Sequence, residues 1–166
     1  AASTATASPA TASPAAADGR IPAGTPYVVV GLRSDTLADS PSGEVLRRQL
    51  TAVLAAQATM HPDLVVLTGL RPGAEQLAAA AAIDAEVPYA VILPYADPTA
   101  GWPEAERVEF DRACADARDV VTLERKRPTD GAGRRASLAR RDGWLRSIAA
   151  GAVVVTDGRD AEAELQ

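Results

Sequence analysis

Aliphatic and polar positions fall in blocks along this chain, and the blocks have two distinct periods. Residues 27–30 (YVVV), 64–67 (LVVL), 89–93 (YAVIL), 120–123 (VVTL) and 152–155 (AVVV) are short, nearly continuous apolar runs. Runs without polar alternation suit strands that are buried on both faces. Between them the apolar spacing becomes helical. Leu46, Leu50, Val53 and Leu54 make one face of a helix whose start is marked by Ser40 as cap and Pro41 in the first turn. Residues 74–85 form an alanine-rich helix, stopped by Val87-Pro88. Trp102-Pro103 opens a third helix through Val108, Phe110 and Ala113, and residues 137–150 form a fourth with Leu138, Leu145 and Ile148 inward. The third strand is expected to end at Pro94. Residues 124–135, with Asp130-Gly131-Ala132-Gly133, are expected to be a flexible polar loop, and residues 160–166 a short helical tail. Strands and helices in regular alternation predict an α/β fold: a Rossmann-like, doubly wound, mainly parallel sheet of about five strands, with helices on both faces.

Composition narrows the picture. The 166 residues are of single-domain size, with 47% hydrophobic and only 4% aromatic residues, so the core is carried by Ala, Val and Leu. Residues 1–24 are an Ala/Thr/Ser/Pro tract that cannot bury enough surface to fold, and a disordered tail is expected there. A formal net charge of −5 argues against general nucleic-acid binding, which needs a basic surface to displace phosphate counterions. Cys114 is the single cysteine, which excludes an intramolecular disulfide and disfavours a metal cluster. His61 is the single histidine and precedes Pro62, where a solvated turn residue is expected. No metal site and no cofactor are expected. No apolar run reaches the ~20 residues of a membrane span, and no secretory signal is evident, so the expected compartment is the cytoplasm.

In an open parallel sheet, ligands bind beyond the carboxyl ends of the strands, near the point where strand order reverses. That rule nominates Gly31-Leu32-Arg33, Gly69-Leu70-Arg71-Pro72-Gly73, residues 94–97 and Thr156-Asp157-Gly158. Glycine at a strand exit lets backbone N–H groups approach a ligand. A helix starting near Gly73 would aim its free N–H groups and positive dipole end at an anion, and Arg33 and Arg71 could add bidentate phosphate contacts. Neither GxGxxG nor a P-loop is present. Arg134, Arg135, Arg140 and Arg141 are either a solvated helix face or a set leaning over the carboxyl edge. Trp102 and Trp144 are read as packing residues.

The succession GLR, VVLTGLRPGAEQLAAAAA, VILPYADPTAGWPEAERVEFDRAC and RRDGWLRSIAAGAVVVTDG resembles the SLOG superfamily, nearest its YpsA-like branch, over about residues 27–160. Gly69, Gly73 and Glu75 are similar to the family's glycine-bearing strand–turn–helix with an acidic residue; Pro94, Tyr95 and Trp102 are similar to its "PF…W" segment. The resemblance implies a Rossmann-like fold that binds nucleotides or nucleotide-derived ligands, in a superfamily that includes the DNA-processing protein DprA, and it implies homodimers. The chain's end also resembles the LOG phosphoribohydrolases, which release a base from a nucleoside monophosphate. There Arg141 falls on the motif arginine, Asp142 on its lysine, Leu145 on its methionine and Glu164 on its last glutamate. The glycine-rich turn departs from that pattern, since only Gly158 remains of PGGxGT, and Asp157 and Asp160 set carboxylates beside the phosphate position.

The leading expectation is therefore a binder or sensor of a nucleotide-like ligand. Gly31, Arg33, Gly69, Arg71, Gly73 and Glu75 would form one wall, with Arg141, Asp157 and Gly158 the other. The alternative enzymatic reading is N-glycosidic hydrolysis, with Glu164 as the catalytic carboxylate and Arg141 holding phosphate. A non-catalytic interaction scaffold is the third reading.

Overall fold

The computed structural model describes residues 20–31, 33 and 41–155. Five strands, β1 (Thr25–Gly31), β2 (Leu64–Thr68), β3 (Tyr89–Tyr95), β4 (Asp119–Glu124) and β5 (Gly151–Val155), form one sheet in the order β4-β3-β2-β1-β5. Every adjacent pair is parallel, so the Rossmann-like expectation holds. The helices are α1 (Pro41–Met60), α2 (Ala74–Asp84), α3 (Glu104–Asp116) and α4 (Gly131–Ile148).

The two faces are covered unequally. Tyr27, Val29, Leu64, Val66, Val91 and Val153 point to the side where Leu50 and Leu54 of α1, the alanines of α2 and Phe110 of α3 pack. On the other side Val28, Val65, Leu67, Ala90 and Ile92 meet Leu145 and Ile148 of α4. Alanine suits α2 because small side chains let the helix lie close to the strands; Ala78, Ala81 and Ala82 are wholly buried. The chain steps from β1 through β4 in one direction, then α4 returns it across the opposite face to β5, beside β1. Strand order thus reverses at β1, with β2 on one flank and β5 on the other.

Four local expectations are corrected. Strand β3 runs through Pro94 to Tyr95 instead of ending before it. Its pairing with β2 stops at Val91, so the missing proline N–H costs that ladder nothing. Helix α4 begins at Gly131, six residues before the expected Ser137, because Asp130 caps it: its Oδ1 accepts from the Gly133 amide at 2.6 Å. Pro103 is the cap of α3, and the helix proper starts at Glu104. Residues 20–24, assigned by composition to the tail, touch the fold: Pro22 is buried, Ile21 packs on the α4 side, and Arg118 donates to the Ala23 carbonyl. Among the described residues, no helix is long and apolar enough to cross a membrane.

Candidate ligand-binding site

A cavity of about 750 Å³ opens at the carboxyl end of β1, β2 and β5, on the face that α4 covers. Its polar end is built by Gly31, Arg33, Gly69, Arg71, Glu75 and Arg141. From there an apolar trough runs between α4 and the β1–β5 edge. Val28 pairs in register with Ala152 and Val30 with Val154, so these side chains stand together on its sheet wall. Leu145, one turn beyond Arg141 on α4, and Ala149, which caps the end of that helix, form the helix wall. Val30, at 39% exposure, is an apolar surface that this face leaves open.

Glu75 organises the polar end. Its Oε2 accepts from the amides of Gly69 (2.9 Å) and Arg71 (3.3 Å). Its Oε1 accepts from Arg71 Nε (2.7 Å) and Arg141 Nη2 (2.9 Å). Burial alone would push this carboxyl upward; the charges and hydrogen bonds of Arg141 and Arg71 outweigh that and hold it below the ordinary carboxylate range. Arg141 is fully buried, yet its cation is favoured: burial opposes the charge, and Glu75 and Asp142 more than offset it. Asp142 Oδ1 takes the remaining donors, Arg141 Nε at 3.0 Å and Nη2 at 2.7 Å.

The turn after β2 follows from this clamp. Leu70 has φ of 59° and is buried, a conformation that costs a non-glycine residue on the order of 1–3 kcal/mol. The amides on either side of it are pinned to Glu75, and its own amide donates to Thr68 Oγ1 at 3.2 Å. Thr68 Oγ1 in turn donates to the Glu75 carbonyl at 2.7 Å, closing the loop on the start of α2. Gly69 is required for space: a Cβ there would sit 1.7 Å from Arg141 Nη1 and 2.6 Å from Glu75 Oε2. Gly31, with φ of +142°, brings β1 so close to β5 that a Cβ would sit 2.0 Å from the Val155 carbonyl oxygen.

Gly31, Arg33, Gly69, Arg71, Glu75 and Arg141 line one cavity. The structure changes the roles of two of the expected residues, Gly73 and Arg141. Gly73 caps α2 with φ of 103° and does not line the cavity, because the carboxylate of Glu75 folds back beneath the turn and takes that place. Arg141 has its guanidinium engaged by two carboxylates, so it serves as a buried tie between α4 and the β2–α2 turn. Arg71 is the better-placed cation: it lines the cavity, and its Nη1 is buried without a hydrogen-bond partner among the described residues. Asp157, Gly158 and Glu164 lie outside the described residues. Sequence reasoning missed Asp142 and Arg146, which also line the cavity. The signal for them was the spacing of Arg141, Asp142, Leu145, Arg146 and Ala149, a single stripe once the helix is recognised.

Away from the cavity, His61 is part-buried against Tyr27, with Nε2 3.3 Å from the phenol oxygen. Trp102 packs edge-on against Phe110. Arg140 is paired with Glu124, and Arg134 reaches carbonyls in the turn preceding α4. Among the described residues, no group of three or more His, Cys, Asp or Glu side chains is arranged to hold a metal ion. Comparison with protein-family models gives no match, and no curated protein matches the chain.

Proposed function

We propose that this chain binds or senses a nucleotide or nucleotide-derived ligand at the carboxyl edge of its sheet, with an anionic group at the Arg33–Arg71 end and an apolar moiety in the β1–β5 trough. The observation that carries this reading is a cavity of two characters at the point of strand reversal. Its walls hold four arginines, Arg33, Arg71, Arg141 and Arg146, against two carboxylates, Glu75 and Asp142, in a chain whose net charge is −5. That local excess of positive charge favours an anion, and Arg71, which lines the cavity, is a residue suited to it. The volume lies within the roughly 300–1,000 Å³ usual for small-molecule sites.

The buried state of Arg141 and its engagement by Glu75 and Asp142 favour binding over hydrolysis, since this arginine is not free to hold a phosphate. The resemblance to the YpsA-like branch of the SLOG superfamily points to the same ligand class. Isothermal titration with AMP, ADP-ribose, a cyclic dinucleotide and inorganic phosphate tests the proposal. Saturable binding of at least one nucleotide, weakened about tenfold or more by Arg71→Ala, is expected for a charged hydrogen bond. Absence of heat and of any thermal-shift response across the whole panel overturns it.

A further inference from the structure

Asp142 stands between the two ends of the cavity, and half of its carboxylate is unused. Oδ1 accepts from Nε and Nη2 of Arg141 and lies 3.8 Å from Arg71 Nη2. Oδ2 has no hydrogen-bond partner among the described residues, and the side chain is 32% exposed where it lines the cavity. A carboxylate oxygen without a partner, on a partly exposed side chain that lines a binding cavity, is an acceptor available to donors of the ligand. The ion pairs with Arg141 and, at 3.8 Å, with Arg71 hold the side chain in place.

Its position along α4 decides which donors those are. The anion end lies at Arg33 and Arg71, next to the buried Arg141, and the apolar helix wall begins at Leu145 and reaches Ala149. Asp142 is on the first of those turns, so the group it meets must lie between the anion and the apolar moiety. From Asp142 to Ala149 the helix advances roughly 10 Å, enough to accommodate a nucleoside alongside it. In a nucleoside monophosphate the part between phosphate and base is the ribose, whose hydroxyls are paired donors. A base amino group would be at the far end, against Val28, Val30, Ala152 and Val154.

We propose, resting on the nucleotide-binding reading above, that Asp142 is a specificity residue. It accepts from the vicinal hydroxyls of a ribose while Arg71 meets the phosphate, so the site selects ribonucleoside monophosphates over their deoxy forms. Selectivity arises because a ligand lacking a hydroxyl leaves Oδ2 desolvated without a donor.

Titration calorimetry on the full chain with AMP, 2′-deoxy-AMP, 3′-deoxy-AMP and ribose 5-phosphate tests it. AMP should bind at least about tenfold more tightly than one or both deoxy forms, the range of a hydrogen bond to a charged group. Ribose 5-phosphate should retain the preference for Asp142 but bind more weakly than AMP, because it leaves the trough empty. Asp142→Ala should bring the AMP and deoxy-AMP affinities together, and Asp142→Asn, which keeps an uncharged acceptor, should fall between. Both variants loosen Arg141 and lower the melting temperature, but a purely structural role would weaken all ligands alike and leave the ribo-to-deoxy ratio unchanged. Equal affinity of AMP and both deoxy forms for the unmodified protein overturns the ribose assignment and leaves nucleotide binding standing, as does a ratio that survives in Asp142→Ala. Failure of every ligand to bind overturns both.

Discussion

Replacing Glu75 with alanine strips the polar end of its organiser. The change leaves Arg141, 1% exposed, with Asp142 as its only carboxylate partner among the described residues, and frees the Gly69 and Arg71 amides in a part-buried turn. Breaking a buried ion pair by removing one partner costs about 3–5 kcal/mol. Asp142 still neutralises part of the Arg141 charge, so the lower end, about 3 kcal/mol, is expected. Leu70 then keeps only its amide bond to Thr68 Oγ1 at a positive φ, so the turn relaxes and returns a fraction of that loss. In a chain of this length the melting temperature should fall by roughly 10 °C. Urea denaturation followed by circular dichroism should show the midpoint lowered with the slope m unchanged, which marks a loss of stability rather than a changed denatured state. The double variant Glu75→Ala/Arg141→Met should recover much of the loss, because it removes the stranded cation and fills its space with apolar volume. A single-variant loss below about 1 kcal/mol, or a double variant no better than the single, would refute the clamp as the organising element.

Other outcomes follow from the same geometry. Stability should be lost on acidification: the Glu75 carboxyl is held below its ordinary value of 4.5, so its contribution is full above that value and fades as the pH falls through the lower, folded value, in a pH-dependent melt that Glu75→Ala should flatten. Gly69→Ala should destabilise by about 1–3 kcal/mol through overpacking alone, since φ at Gly69 is not positive; denaturant titration checks it, and a neutral result would mean that Arg141 can move aside. Asp130→Ala should cost about 1 kcal/mol and raise amide exchange at Gly133, whose N–H loses its acceptor. Burial pushes the Cys114 thiol up to about 11, so alkylation at pH 8 should be slow until the protein is unfolded.

Much of the fold was legible because its signals are local. Continuous aliphatic runs marked all five strands to within a residue or two, and the Leu46, Leu50, Val53, Leu54 stripe marked the buried face of α1. The start of α4 was not legible, because Gly131 and Gly133 read as loop when a single side chain, Asp130, caps a helix through them. Pro94 misled for a related reason: whether a proline ends a strand depends on which neighbour it would have bonded to, and that is a property of the sheet. The candidate site divides in the same way. Glycines and arginines at strand exits were found from position alone. The roles of Arg141 and Glu75 were not, since they partner each other across 66 residues, and neither position announces that pairing. Asp142 was visible only as a departure from a motif lysine; its free oxygen became evident with the helix stripe that carries it.

The most direct test of the central claim is an amide NMR titration of the full chain with AMP. Shifts that saturate and concentrate at Gly31, Arg33, Gly69, Arg71, Asp142 and the β5 residues Ala152 and Val154 are predicted, with α3 unperturbed. No shifts at millimolar ligand, or saturating shifts confined to residues away from the β1–β2–β5 carboxyl edge, would contradict it.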